Sequence, residues 1–113
     1  MDERIKEVAF ADENLKEAYF KLQEGKFEDK QMFDFINKAI DDLKQNPMSG
    51  IRIPNTLIPK EYVQKYGINN LWKYNLPNAW RLTYTLSGDS FKIISVILEW
   101  MNHKEYERRF GYT

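Results

Sequence analysis

Two side chains in this sequence stand out for the chemistry they could do: Arg81, which suits a phosphate, and His103, which could carry a proton. Arg81 stands between Trp80 and Leu82 in a stretch of alternating apolar and polar residues, on the polar side, where threonine or serine would satisfy a strand. Its guanidinium stays charged and offers five donors in a rigid fork, which matches phosphate oxygens. A salt bridge to a helix acid, or cover for an apolar patch, would use the same residue type. His103 is the only histidine, and histidine is the side chain that changes charge near neutral pH. It closes the last strand-like segment beside Lys104, three residues before Tyr106. It reads either as a proton-transfer group or as a surface histidine without a role. Tyr106 carries the nearest ionisable hydroxyl, and a tyrosine of ordinary pKa, about 10, is a poor base without nearby positive charge.

Strand parity gathers these groups. Lys73, Asn75 and Arg81 are odd-numbered and fall on one face of a predicted hairpin. If the final strand turns Ile94, Val96 and Leu98 toward the helices, His103 continues the opposite face. Lys73, Arg81 and His103 would then form a shallow basic concavity suited to a polyanion. Arg52, Lys60, Arg108 and Arg109 are the candidate residues at its rim.

Other chemistries lack their residues. No cysteine is present, which removes disulfides, thiolate nucleophiles and zinc-ribbon patterns. A lone histidine gives no usual transition-metal site, and no metal or cofactor is expected. No phosphate loop or dinucleotide fingerprint occurs, and the acids are spaced as solvated helix faces. Trp72 and Trp80 fit a core register better than a base-stacking surface. The formal net charge is zero. Residues 1–50 carry eight Lys and Arg against twelve Asp and Glu, a balance of −4. Residues 51–113 carry nine against five, a balance of +4. Such a dipole would offer a polyanion its C-terminal half. The charged start, MDERIKEVAF, lacks a signal-peptide apolar segment, and no long apolar run occurs, so a cytoplasmic protein is expected.

The elements that must position these residues are legible as periods. Lys6–Phe10 reads as a short strand. Asp12 stands as the cap of a helix carrying Leu15, Ala18, Tyr19 and Leu22 and ended by Gly25. Met32, Phe35, Ile36, Ala39, Ile40 and Leu43 recur at three and four residues, a second amphipathic helix capped near Glu28 or Asp29 and stopped before Pro47. PMSGIRIPNTLIPK holds three prolines and allows only short edge strands. Glu61–Tyr66, closed by Gly67, reads as a brief helical turn.

From Leu71 the period is two. A turn at Pro77–Asn78–Ala79 pairs Leu76 with Trp80, Tyr74 with Leu82 and Trp72 with Tyr84, giving one continuous apolar face. A turn at Ser87–Gly88–Asp89 leads to Lys92–Trp100, apolar on both sides and so central or covered by the C-terminal segment. The tail beyond Asn102 has a charged, partly helical pattern. The expected fold is a single α+β domain over residues 1–113. Its N-terminal helical hairpin packs on one face of a twisted antiparallel sheet, with Trp72, Tyr74, Leu82, Tyr84 and Val96 buried.

The runs NLWKYNLPNAWRLTYTL and KIISVILEWMNHKEYERRFGY resemble the RelE/ParE superfamily of toxins from type II toxin–antitoxin pairs, most distinctively over residues 69–113. The order of elements is similar too. The resemblance implies a toxin held by a cognate antitoxin protein and, for the RelE type, metal-independent cleavage of mRNA on the ribosome. Arg81-Leu82-Thr83-Tyr84 matches the family's strand motif, so Arg81 would hold the scissile phosphate. His103 or Tyr106 matches the family's C-terminal proton-transfer residue, and Lys73 or Lys60 its inner-face lysines. Ribosome-directed members are usually strongly basic, whereas this chain is neutral. The alternative within the same fold is a non-catalytic module, directed at DNA gyrase or retaining only a partner-binding surface.

Overall fold

The computed structural model describes residues 3–111. Strand β1 (Ile5–Phe10) leads through Asp12 into helix α1 (Glu13–Lys21). The Asp12 carboxylate accepts from the Leu15 N–H at 2.8 Å, satisfying one of the donors a helix start leaves open. A single 3₁₀ turn ends at Gly25, and helix α2 (Phe27–Gln45) follows. Asp29 does contribute to that start, but from inside the helix. Its carboxylate accepts from the Lys26 N–H at 3.2 Å, so α2 begins two residues earlier than a cap at Glu28, and three earlier than a cap at Asp29, would place it.

The buried stripe of α2 is Met32, Ile36, Ala39 and Leu43. With Tyr19 of α1 it lies on one face of a five-stranded sheet. Ile36 and Leu43 are wholly buried, each contributing roughly 1.5–3 kcal/mol of transfer free energy. Tyr19 stacks on Phe33, ring centroids 4.8 Å apart, and locks α1 to α2 as a hairpin.

The remaining elements are β2 (Ile51–Ile53), α3 (Lys60–Tyr66), β3 (Leu71–Asn75), β4 (Arg81–Gly88), β5 (Lys92–Met101) and α4 (His103–Phe110). The strands lie in the order β1-β5-β4-β3-β2. The predicted hairpin register holds across β3 and β4: Trp72 opposes Tyr84, Tyr74 opposes Leu82, and Asn75 opposes Arg81. The Leu76 N–H donates to the Trp80 carbonyl at the turn.

Three expectations need correction. The sheet is mixed, since β1 runs parallel to β5. The α1–α2 hairpin is part of the connection from the first strand, and the last strand returns beside it in the same direction. Second, the apolar side chains do not gather in a single core, because β5 is central and is also covered by the C-terminal segment, as its two apolar sides predict. A separate core of Ile53, Tyr62, Leu71 and Leu98, with Phe110 against it, lies on the other face beneath α3 and α4. Third, β5 does not turn Val96 toward α1 and α2. Thr83 opposes Glu99 but Tyr84 opposes Ile97, so Leu98 is an extra residue and the side-chain parity reverses there. Ile97 and Trp100 join the α1–α2 core, while Val96 and Leu98 join the other. Of the five residues expected to be buried, Trp72, Leu82 and Tyr84 are; Tyr74 and Val96 are half-buried.

Gly50 marks where the chain must pass close to the sheet. A Cβ there would stand 2.5 Å from the Lys73 carbonyl oxygen and 2.6 Å from the Tyr84 hydroxyl. Because the first neighbour is main chain, Gly50→Ala forces β2 off β3. A loss of about 1–3 kcal/mol in urea unfolding is expected, with the slope unchanged. Wild-type stability would remove steric necessity as the reason for glycine here.

No helix of the described residues is long and apolar enough to cross a membrane.

Candidate nucleic-acid site beneath the C-terminal helix

Lys73 of β3 lies directly opposite Thr83 of β4, and Asn75 opposite Arg81, so these four side chains share the sheet face away from α1 and α2. On β5, Glu99 opposes Thr83 and Met101 opposes Arg81. Glu99 and Met101 reach this face only because of the extra residue at Leu98, and not because Ile94, Val96 and Leu98 face α1 and α2. Asn102 then accepts from the Glu105 N–H and caps α4, and strand alternation ends before His103.

Helix α4 lays Tyr106 over this face. The Lys73 ammonium lies 5.2 Å from the Tyr106 ring centroid and the Arg81 guanidinium 5.7 Å, so two cations rest against one aromatic ring. Tyr106 stacks in turn on Phe110 at 4.3 Å, and Phe110 meets Tyr62 of α3 at 5.9 Å. Neither Lys73 nor Arg81 forms an ion pair among the described residues. One Arg81 Nη donates to the Trp80 carbonyl at 3.1 Å, while its Nε is buried without a hydrogen-bond partner. A buried charged donor left open is costly, and an arriving anion would satisfy it.

Next to these open cations is a neutralised one. Arg109 donates to Glu99 at 2.5 Å and lies 3.7 Å from Glu61, tying α4 to β5 and α3. The Tyr62 hydroxyl lies 3.2 Å from the Thr83 hydroxyl. Burial, and then the Glu99 carboxylate beside it, push the Tyr62 hydroxyl pKa far up. The Arg109–Glu99–Tyr62 cluster is thus a structural clamp, and Arg109 is not a free phosphate ligand.

Of the sequence candidates, the fold brings together Arg81, Lys73 and Tyr106. The others stand apart. His103 is exposed at the start of α4, its Nε2 2.7 Å from Glu107 one turn on. Arg108 is exposed and paired with Glu105 at 2.9 Å. Lys60 is the exposed first residue of α3. Arg52 opposes Trp72, whose ring faces the α1–α2 core, so Arg52 lies on the other sheet face and cannot rim this site. Sequence reasoning passed over Glu99 and Tyr62. Glu99 carried a signal as the one charge between Ile93 and Met101; nothing in the sequence marked Tyr62.

Among the described residues, no three His, Cys, Asp or Glu side chains gather as a metal site. Comparison with protein-family models, with curated proteins and with solved structures found no match.

The buried tyrosines give the fold an alkaline limit. Burial raises Tyr84 to about 12. Burial, and then the bond to Asp42, raise Tyr74 to about 12. The folded chain keeps these protons where the unfolded chain loses them. Their contribution is therefore complete below pH ~10 and disappears as pH rises through about 12. For Tyr84, which is wholly buried, the difference is on the order of 2–3 kcal/mol. Absorbance at 295 nm should show tyrosines that ionise only together with loss of circular dichroism above pH ~10. Complete ionisation of a still-folded chain at pH ~10 would contradict this.

Proposed function

We propose that this protein is the toxin of a type II toxin–antitoxin pair, with a RelE/ParE-like fold, and that it cleaves mRNA on the ribosome without a metal. The observation that carries the reading is the pair Lys73 and Arg81, two cations without carboxylate partners set against Tyr106 on one sheet face. The resemblance over residues 69–113, and a helical hairpin followed by antiparallel strands and a C-terminal helix, support the same reading.

In the proposed reaction the ribose 2′-oxygen attacks the adjacent phosphorus and the bond to the 5′-oxygen breaks, leaving a cyclic phosphate and a 5′-hydroxyl. Arg81 and Lys73 hold the phosphate and offset the charge that builds on its oxygens. Tyr106, whose ring lies against both cations, would shuttle the proton from the 2′-hydroxyl to the leaving oxygen; His103 is the other candidate. The +4 balance of residues 51–113 draws the site to RNA, although the neutral whole gives weak steering.

The test is in vitro translation followed by primer extension on the mRNA, with EDTA added to pre-formed complexes. Ribosome-dependent cuts that survive EDTA are expected. Growth arrest on expression, relieved by a co-expressed protein that co-purifies with this chain, is expected of the pair. A second reading, a non-catalytic module of the same fold, is favoured by the burial of Tyr106 and by the engagement of His103 with Glu107. Intact mRNA together with poisoned gyrase, or with neither effect, would select it.

A further inference from the structure

On the opposite side of the sheet, β3 is left uncovered at its C-terminal end. Strand β2 pairs with β3 only from Leu71 to Lys73. The chain before β2 turns away, the Ser49 N–H donating to the Asn46 carbonyl. Leu76 bonds to Trp80 across the hairpin, so the intervening pair Asn75–Arg81 is a non-hydrogen-bonded one. The main-chain N–H and C=O of Asn75 therefore point outward, past the end of β2.

Beside this free edge lies a cleft of about 590 Å³ between α2 and β3. Phe35, Tyr74, Leu76 and Pro77 give it apolar walls. The Tyr74 hydroxyl donates to Asp42, which fixes the ring as one wall. Two charged residues of α2 stand at the mouth. Lys38 is held by Asp42 at 3.2 Å, whereas Asp34 is exposed and forms no ion pair among the described residues. The half of the chain that carries α2 has a balance of −4.

We infer that this cleft and edge bind an extended segment of a partner protein. The segment adds one strand position at Asn75, seats an apolar side chain between Phe35 and Leu76, and sets a lysine or arginine two residues away against Asp34. Main-chain bonds at an open edge supply affinity, and the pocket and the charge supply selection. A cleft of this size, mostly apolar with few polar groups, is in the range of sites that enclose a ligand group. The inference does not rest on the nuclease reading, because Asp34 and Phe35 lie across the sheet from Lys73 and Arg81.

The experiment is titration of the ¹⁵N-labelled full chain with the capped peptide Ac-Thr-Thr-Phe-Thr-Arg-Thr-NH2. Controls carry aspartate in place of its phenylalanine, or glutamate in place of its arginine. Saturable shifts centred on the Asn75 and Phe35 amides are expected, with each control peptide at least about tenfold weaker. Asp34→Lys, a surface change, should reverse the preference between arginine and glutamate. Asn75→Pro, which removes the outward N–H and fixes φ at a strand end, should weaken binding at least about tenfold with a native spectrum. Shifts centred elsewhere, equal binding of the aspartate control, or an unchanged preference in Asp34→Lys would overturn the inference. Self-association that broadens the same amides without peptide would also overturn it, in favour of a second copy as occupant.

Discussion

Arg81→Ala is expected to reduce ribosome-dependent mRNA cleavage at least ~100-fold while leaving the fold intact. The magnitude is that of removing one preorganised group from the place where transition-state charge develops, roughly 2.7–4 kcal/mol. The fold should tolerate the change because Arg81 is half-buried, its Nε has no partner, and its one hydrogen bond goes to the adjacent Trp80 carbonyl. Arg81→Lys keeps the charge but not the fork and is expected to recover only part of the rate. Lys73→Ala, which removes a point charge from the same ring, should cost about tenfold, or ~1.4 kcal/mol. The proton-transfer role divides between Tyr106→Phe and His103→Ala. With Tyr106 against both cations and His103 turned to Glu107, Tyr106→Phe should lose about 100-fold and His103→Ala less than about threefold. The reverse order would assign the proton to His103. Full activity in Arg81→Ala would remove the site.

Tyr84 carries the largest expected effect on stability. Its side chain is wholly buried, its ring stacks on Trp72 with centroids 6.1 Å apart, and its hydroxyl donates to the Pro47 carbonyl at 2.7 Å while accepting from the Gly50 N–H at 3.1 Å. One residue thus joins the sheet core to the segment between α2 and β2. Tyr84→Phe keeps the ring but strands two main-chain groups and should cost about 1–3 kcal/mol. Tyr84→Ala also opens a cavity and should cost about 3–5 kcal/mol or more. A domain of this size has a total on the order of 5–15 kcal/mol, so Tyr84→Ala is expected to be near unfolding at 37 °C. Urea unfolding of the three proteins checks the order. Equal stability of wild type and Tyr84→Phe would mean that Pro47 and Gly50 need no partner from the sheet.

What the sequence determined by itself was local. Asp12 and the apolar repeats set both N-terminal helices, because caps and 3.6-residue periods act within a few turns. The Pro77–Asn78–Ala79 turn fixed the β3–β4 register, and with it the shared face of Lys73 and Arg81, because a short loop leaves one pairing that buries Trp72, Leu82 and Tyr84. The tertiary structure alone decided the rest. An extra residue at Leu98 reversed the parity of β5, and no period within Lys92–Met101 announces it, since the strand is apolar on both sides. The parallel pairing of β1 with β5 joins residues more than eighty positions apart, beyond any local signal. Tyr106 was placed over Lys73 and Arg81, and His103 away from them, by where α4 begins and how it docks through Phe110, Tyr62 and the Arg109–Glu99 pair. Strand alternation carries a residue's direction only while the strand lasts, and this one ends two residues before the histidine.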